Sequence, residues 1–332
     1  MATTEQLARS EVRFAPRRVA HGNFFVSDLE GSMAYYEKVL GLQEVFREPG
    51  IGAGFMSNGN SHHDVGLIQI PKQDLRGRDG QLQVPAKEDR RPGLNHIGWE
   101  METEAELVAA YERAVAAGIE LHRTVDHLIA HSVYLFDPEG YYHEFYSDTE
   151  DDWHSIYDEH KGELITGNWN PTASEPARKP NYDPNPTYKN VPGAPLRPIR
   201  AARVSLLVSD LRLMTEFYTN VLGLDVVAER TDRGYVVLSG ALGYWDVGLF
   251  QAEDGQHGMH HFGFELADVE ELAEATDRLR AAGADVQGEF EHPTKRSVAV
   301  RDRDGIPLEF YVELSRDPSA LDSPMNPMPY LV

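Results

Sequence analysis

The sequence predicts an α+β fold of four βαβββ units arranged as two tandem halves. Two observations carry this prediction. A long internal repeat runs through the chain, and each copy shows the same succession of one strand, one helix and three short strands. VSDL at residues 26–29 returns at 208–211, and VLGL at 39–42 returns at 221–224, both at an offset of 182 residues. DVGL at 64–67 returns at 246–249 at the same offset. LNHIGWE at 94–100 resembles MHHFGFE at 259–265, and EFY at 144–146 returns at 309–311, now at an offset of 165. The offset drops because the first copy carries about 17 extra residues at 71–92. The duplication predicts a first domain over 17–148 and a second over 200–315.

The elements follow in order. Val19–Val26 is an apolar run that reads as a strand. Ser27 or Asp28 caps the next helix, with Met33, Tyr36, Val39 and Leu40 at helical spacing and Gly41 past its end. Short strands are expected near 43–48, 53–57 and 64–70. The second unit starts with a strand at 95–101, then a helix near 104–117 stopped by Gly118. Strands near 120–124, 131–136 and 142–147 complete it. Asp137-Pro138-Glu139-Gly140 and Asp302-Arg303-Asp304-Gly305 read as hairpin turns. Residues 149–199 are rich in Pro, Asn and Asp, and read as an extended connector over the surface. Residues 1–16 and 316–332 read as an N-terminal arm and a C-terminal tail.

The 332 residues carry 31 Lys and Arg against 54 Asp and Glu, a formal charge of −23. Such a surface repels nucleic-acid backbones and anionic membranes, which argues against either partner. The absence of cysteine excludes disulfides, thiolate metal sites and a Cys nucleophile. No apolar run is long enough to span a membrane, and the polar start is unlike a secretory signal. A soluble cytoplasmic protein is expected. Any metal chemistry must rest on imidazole and carboxylate, and the chain holds 14 histidines.

The repeat supplies an internal control. His21 stands where the second copy has Arg203, His63 where it has Trp245, Tyr134 where it has Ala299, and His131 where it has Arg296. His96, Glu144 and His127 are matched by His261, Glu309 and His292. Both copies need the same turns and apolar positions, yet only the first has the full set of imidazoles. The asymmetry points to one working site in the first half. His21 and His96 lie in the first strands of consecutive units, and Glu144 in a last strand. Two imidazoles and one carboxylate on one face leave three positions open on an octahedral ion. That suits Fe(II) with a chelating substrate and O2, and also admits Mn(II). A second ligand set, His21, His261 and Glu309, arises if the first unit pairs with the fourth. His63 and Tyr134 share units with the first set, which favours it.

These residues resemble the vicinal oxygen chelate superfamily (glyoxalase, bleomycin resistance and dioxygenase proteins), and within it the two-domain extradiol catechol dioxygenases. The motifs are VAHGNFFVSD with His21, SHHDVGL with His62 and His63, LNHIGWE with His96, and Tyr134 ten residues before Glu144. The resemblance implies two tandem vicinal-oxygen-chelate domains, each a cupped mixed sheet with helices outside. It implies cleavage of a small aromatic diol by O2 at an iron centre, in a homo-oligomer. His63 takes the acid–base role, which a pKa near neutrality would suit. Tyr134 donates to a substrate oxygen, and His127 or His131 orients the substrate. Familiar two-domain members carry the site in the second half, and here the complete set is in the first. The runner-up functions on the same fold are a metal-dependent isomerase, epimerase or lyase of the glyoxalase type, and a non-catalytic resistance-type binding protein.

Other features read as structural. His62, His122, His143 and His260 are expected to be structural or exposed. Glu309 with His261 reads as a relic of the duplication. Gly50, Gly52 and Gly54 precede a strand-like run rather than a helix, which excludes a nucleotide loop.

Overall fold

The computed structural model describes residues 12–253, 256–323 and 330. The expected arm and tail therefore lie partly outside the described residues, at 1–11, 324–329, 331 and 332. The first unit comprises β1 (Arg18–Val26), α1 (Leu29–Lys38), β2 (Gln43–Glu48), β3 (Ala53–Ser57) and β4 (Val65–Gln69). Two short strands, β5 (Leu75–Arg76) and β6 (Leu82–Val84), precede the second unit. That unit comprises β7 (Gly93–Glu100), α2 (Glu104–Ala116), β8 (Leu121–Asp126), β9 (Ala130–Phe136) and β10 (Tyr142–Asp148). The side chain of Asp28, one of the two residues expected to cap α1, accepts from Gly31 N–H.

After α3 (Trp153–Glu159) and β11 (Gly167–Asn168), the pattern repeats. The third unit is β12 (Pro198–Val208), α4 (Leu211–Phe217), β13 (Asp225–Arg230), β14 (Tyr235–Ser239) and β15 (Val247–Gln251). The fourth is β16 (Gly258–Leu266), α5 (Val269–Ala281), β17 (Asp285–Glu291), β18 (Lys295–Arg301) and β19 (Pro307–Glu313). Among the described residues no helix is long and apolar enough to cross a membrane.

Two curled mixed sheets result. The first runs β11-β8-β9-β10-β7-β1-β4-β3-β2, and the second β13-β14-β15-β12-β16-β19-β18-β17. The central strands pair alike in both: β1 is antiparallel to β7 and parallel to β4, as β12 is to β16 and β15. Strand β1 is buried along its whole length, so both its faces are covered. Phe24 and Val26 join the core that contains Met33 and Tyr36 of α1. Asn23 and Phe25, on the opposite face, line a cavity.

The two halves lock together by contacts that repeat across a pseudo-twofold relation. Val19 N–H donates to Asp246 Oδ1 at 2.7 Å, and Ala201 N–H donates to Asp64 Oδ1 at 3.1 Å. Tyr36 O–H donates to Asp302 Oδ2 at 3.1 Å, and Tyr218 O–H to Asp137 Oδ2 at 3.1 Å. Each pair joins positions that the repeat makes equivalent. A single apolar cluster runs through both halves.

Three segments differ from their sequence reading. The extra residues at 71–92 form a small hairpin rather than plain loop. The connector holds α3, because its prolines begin only at Pro171 and Trp153 and Tyr157 bury their rings. Its β11 then extends the first sheet beside β8. The end of the N-terminal arm is also inserted rather than loose. Backbone N–H groups of Arg13, Phe14 and Ala15 donate to carbonyls of Asn220, Val221 and Leu222, and Phe14 stacks on Phe145 with centroids 4.1 Å apart.

Candidate metal centre and active site

Sheet register builds the site. His21 pairs with Gly98, Gly98 with Glu144, Glu144 with Tyr134, and Tyr134 with Arg123. These residues form one row across five strands, and neighbours in such a row share a face. His96 lies two residues before Gly98 and so shares it too. Gly98 supplies the space. A Cβ there would come within 2.1 Å of His21 Cε1 and 2.2 Å of its Nε2. The imidazole of His21 lies across the glycine, toward Glu144.

Three ligating atoms converge. His21 Nε2 is 3.0 Å from Glu144 Oε2, His96 Nε2 is 2.9 Å from the same oxygen, and the two nitrogens are 3.3 Å apart. All three side chains are buried. An ion about 2.1 Å from each ligand, with right angles between them, requires separations of about 3.0 Å. The donor set and its spacing therefore fit a divalent ion bound on one face. Asn95 Oδ1 lies 2.6 Å from His96 Nδ1 and can accept its proton, which leaves Nε2 free as the ligand. His261 and Glu309 lie on β16 and β19, in the other sheet. The strand pairing thus unites the first unit with the second, not with the fourth.

The electrostatics agree with this arrangement. Burial pulls His21 down to about 4 against the opposing pull of Glu144, so its ring is neutral at pH 7. Burial alone would raise the Glu144 carboxyl, but its close contacts with the His21 and His96 imidazoles outweigh it and hold Glu144 well below the usual range. The metal's own charge would add to this effect.

The cavity beside the triad has a volume of about 390 Å³. His63 lines it, with its ring centroid 4.1 Å from that of His21 and 5.0 Å from that of Phe55. Its pKa does not stay near neutrality. Burial, then the neighbouring His21 and His62, push it well below the ordinary imidazole value. The His63 imidazole is therefore neutral at pH 7. Tyr134 also lines the cavity, and burial beside Glu144 raises its phenol well above 10, so it keeps its proton.

The two candidate orienting histidines separate clearly. His127 Nε2 is 3.1 Å from Tyr134 Oη and 3.6 Å from Glu144 Oε1, inside the cavity. His131 is placed elsewhere: its Nδ1 lies 2.6 Å from Glu104 Oε1, and its ring stacks on Trp169. The strand alternation that aims Tyr134 inward carries His131 out toward α2.

Several cavity residues escaped the sequence reading. His62, expected to be structural, is a buried cavity residue with Nδ1 2.9 Å from Asp148 Oδ1. Tyr157, Ile165 and Thr166 enter the wall from the connector. No local motif announces them, since only the folding of α3 and β11 onto the first sheet brings them there. In the second sheet, Glu309 meets Lys295 Nζ at 2.6 Å, Ser297 Oγ at 2.5 Å and His261 Nε2 at 3.2 Å. Glu309 is thus part of a buried ion pair, not an idle relic. The signal was present, because Lys295 stands where the first copy has Ala130.

The sequence profile of the Glyoxalase/Bleomycin resistance protein/Dioxygenase superfamily matches residues 18–145 and 200–310, the stretches that build most of the two sheets. Over 123 residues the chain is 28% identical to biphenyl-2,3-diol 1,2-dioxygenase 3 of Rhodococcus globerulus, covering 37% of this chain and 59% of that protein. The match thus spans less than two thirds of that curated relative. Among solved structures, the 2,3-dioxygenase LapB from Pseudomonas sp. KL28 superposes with a TM-score of 0.63 at 18% identity, over 90% of this chain and 92% of that one. The Mn(II)-bound glyoxalase from Novosphingobium aromaticivorans superposes almost as well, with a TM-score of 0.62 at 16% identity, over 91% and 83%. At these identities the superpositions speak to fold and leave the chemistry to the side chains. With the profile covering most of both halves, the chain belongs to the Glyoxalase/Bleomycin resistance protein/Dioxygenase superfamily.

Proposed function

We propose that this protein is an extradiol ring-cleaving dioxygenase that inserts both atoms of O2 into a catechol-type aromatic diol, with Fe(II) held by His21, His96 and Glu144. The observation that carries the reading is the grouping of His63, Tyr134 and His127 around that triad in one cavity. Among the described residues, the only ligand group that includes Glu144 within 4.8 Å has three members. Positions would remain open for a chelating substrate and O2. Bound there, iron(II) would supply Lewis-acid chemistry toward the diol and O2.

The chain's own groups do the rest. Neutral His63 accepts a proton from a substrate hydroxyl and returns it as the ring opens. Tyr134, held as the phenol, donates O–H to a substrate oxygen. His127 is steadied by Thr166, whose Oγ1 lies 3.3 Å from its Nδ1, and presents Nε2 beside Tyr134. Phe55 and Ile68 are among the apolar side chains that shape the wall for a ring.

The test is anaerobic Fe(II) reconstitution, followed by oxygen-electrode and absorbance traces with a panel of catechols. Oxygen uptake with a new yellow absorbance is expected. Firm iron binding without uptake by any catechol would overturn ring cleavage and favour the glyoxalase-type alternative. Failure to bind iron or manganese would overturn the metal site and favour the binding-protein alternative.

A further inference from the structure

We propose that the end of the cavity away from the triad recognises a carboxylate, through Arg90 and Arg123, so that the substrate is a diol carrying an anionic side chain. The inference rests on the cavity being the substrate site. It begins from an imbalance. The chain has 54 acids for 31 bases, and among the described residues most arginines lie against carboxylates. Arg90 and Arg123 line the cavity, yet among the described residues neither has a carboxylate oxygen within 4.0 Å. The lining acids are engaged elsewhere. Glu48 accepts from Thr166 N–H at 2.7 Å and Oγ1 at 3.1 Å, and Glu144 belongs to the triad.

The hydrogen-bond and ring partners of each guanidinium are neutral groups. Arg90 lies over the ring of Phe25 at 4.1 Å and donates Nη2 to Pro85 O at 2.9 Å. Its Nε is buried and makes no hydrogen bond. Arg123 donates Nη1 to Gln83 O at 2.7 Å and Gln83 Oε1 at 2.8 Å and Nε to His122 Nδ1 at 3.1 Å, and faces the rings of Tyr134 and Tyr142 at 5.8 Å. The N–H groups not taken by these neutral acceptors can donate to a carboxylate.

Placement supports the assignment. Phe25 is four residues along β1 from His21, about 13 Å at the rise of a strand. Arg123 is two strands from Glu144, about 10 Å. A diol bound at the triad would direct a short side chain toward these cations. The repeat again serves as a control. Arg90 lies in the extra residues of the first copy, and Arg123 stands where the second has Gly288. Both cations are therefore confined to the half that holds the triad.

The experiment is anaerobic isothermal titration of the full chain, with and without Fe(II), using 3-(3,4-dihydroxyphenyl)propanoate and the uncharged 4-butylcatechol. The acid should bind at least tenfold more tightly, and the preference should shrink as salt rises. Arg90→Met and Arg123→Met should each lower the acid-to-neutral affinity ratio about tenfold, the scale of one charged hydrogen bond. Arg90→Lys should keep part of the preference, and circular dichroism should show all three variants folded. A ratio near one in the parent protein, or a ratio unmoved in both Met variants, would overturn the inference. Anion preference without oxygen uptake would uphold it while sinking ring cleavage. Ring cleavage without anion preference would sink this inference alone.

Discussion

Lys295 Nζ lies 2.6 Å from Glu309 Oε2, so the second sheet neutralises with an ammonium the buried carboxylate that the first sheet turns toward two imidazoles. Glu309 and Glu144 are repeat-equivalent, and both are buried. A buried carboxylate needs a partner of opposite charge. In the second copy that partner is built into the chain, and in the first copy the proposed metal ion takes its place.

Removing the ammonium strands the carboxylate. Lys295→Met should destabilise the protein by about 3–5 kcal/mol, the cost of breaking a buried pair. Removing both charges in Lys295→Met with Glu309→Leu should restore most of the loss. Urea unfolding of the three proteins measures this. A single variant as stable as the parent would contradict the pairing.

The two copies should also respond differently to histidine loss. His21→Ala should weaken iron binding by more than the 10–100-fold typical of an outer-shell change. His261→Ala should leave bound metal unchanged, since His261 lies in the other sheet. Metal content after reconstitution and gel filtration decides between them.

Gly98 makes room for the His21 ring, so the smallest added side chain should be felt at the metal. Gly98→Ala would force the imidazole away from a Cβ only 2.1 Å from Cε1. Iron affinity is expected to fall at least tenfold with secondary structure intact. Far-ultraviolet circular dichroism together with iron titration would show it.

His63 lines the cavity but is outside the three proposed ligands. His63→Asn should retain iron and lower turnover about 10²–10⁴-fold, the usual contribution of a positioned acid–base group. Equal turnover in the variant would remove His63 from the reaction.

Asp302 should contribute stability at low pH that is lost as pH rises from about 4 to 6. Burial pushes Asp302 up to about 6, from an ordinary value of 3.8. Between those values the unfolded chain has released a proton that the folded chain still holds, so stability is fully present below 3.8 and lost as pH rises through 6. The contribution is about 3 kcal/mol. Asp302→Asn keeps an Oδ1 acceptor for the N–H groups of Asp304 and Ile306, and can donate to Tyr36 Oη. Measured against the parent, its unfolding free energy should gain about 3 kcal/mol between pH 4 and 7. An unchanged slope in urea titrations would exclude Asp302 as the source.

The residues of the triad were readable because the chain carries two copies of one pattern. His21 against Arg203 and His63 against Trp245 mark a difference that shared packing needs do not explain. His127 and His131 differ by four residues, and no spacing rule separates them. The fold separates them, by turning one toward Glu144 and the other toward Glu104. The role of Lys295 was legible in the same way, since one comparison with Ala130 exposes it.

Sequence alone determined the four βαβββ units, the duplication and the set of imidazole and carboxylate candidates, because periodicity, turn residues and internal repetition are local properties of the chain. Tertiary structure decided which units share a sheet, which histidine enters the cavity, and which arginines line it. It also brought Tyr157, Ile165 and Thr166 into the cavity wall. Those outcomes depend on register between strands distant in sequence, and a single-residue shift in register moves a side chain to the opposite face.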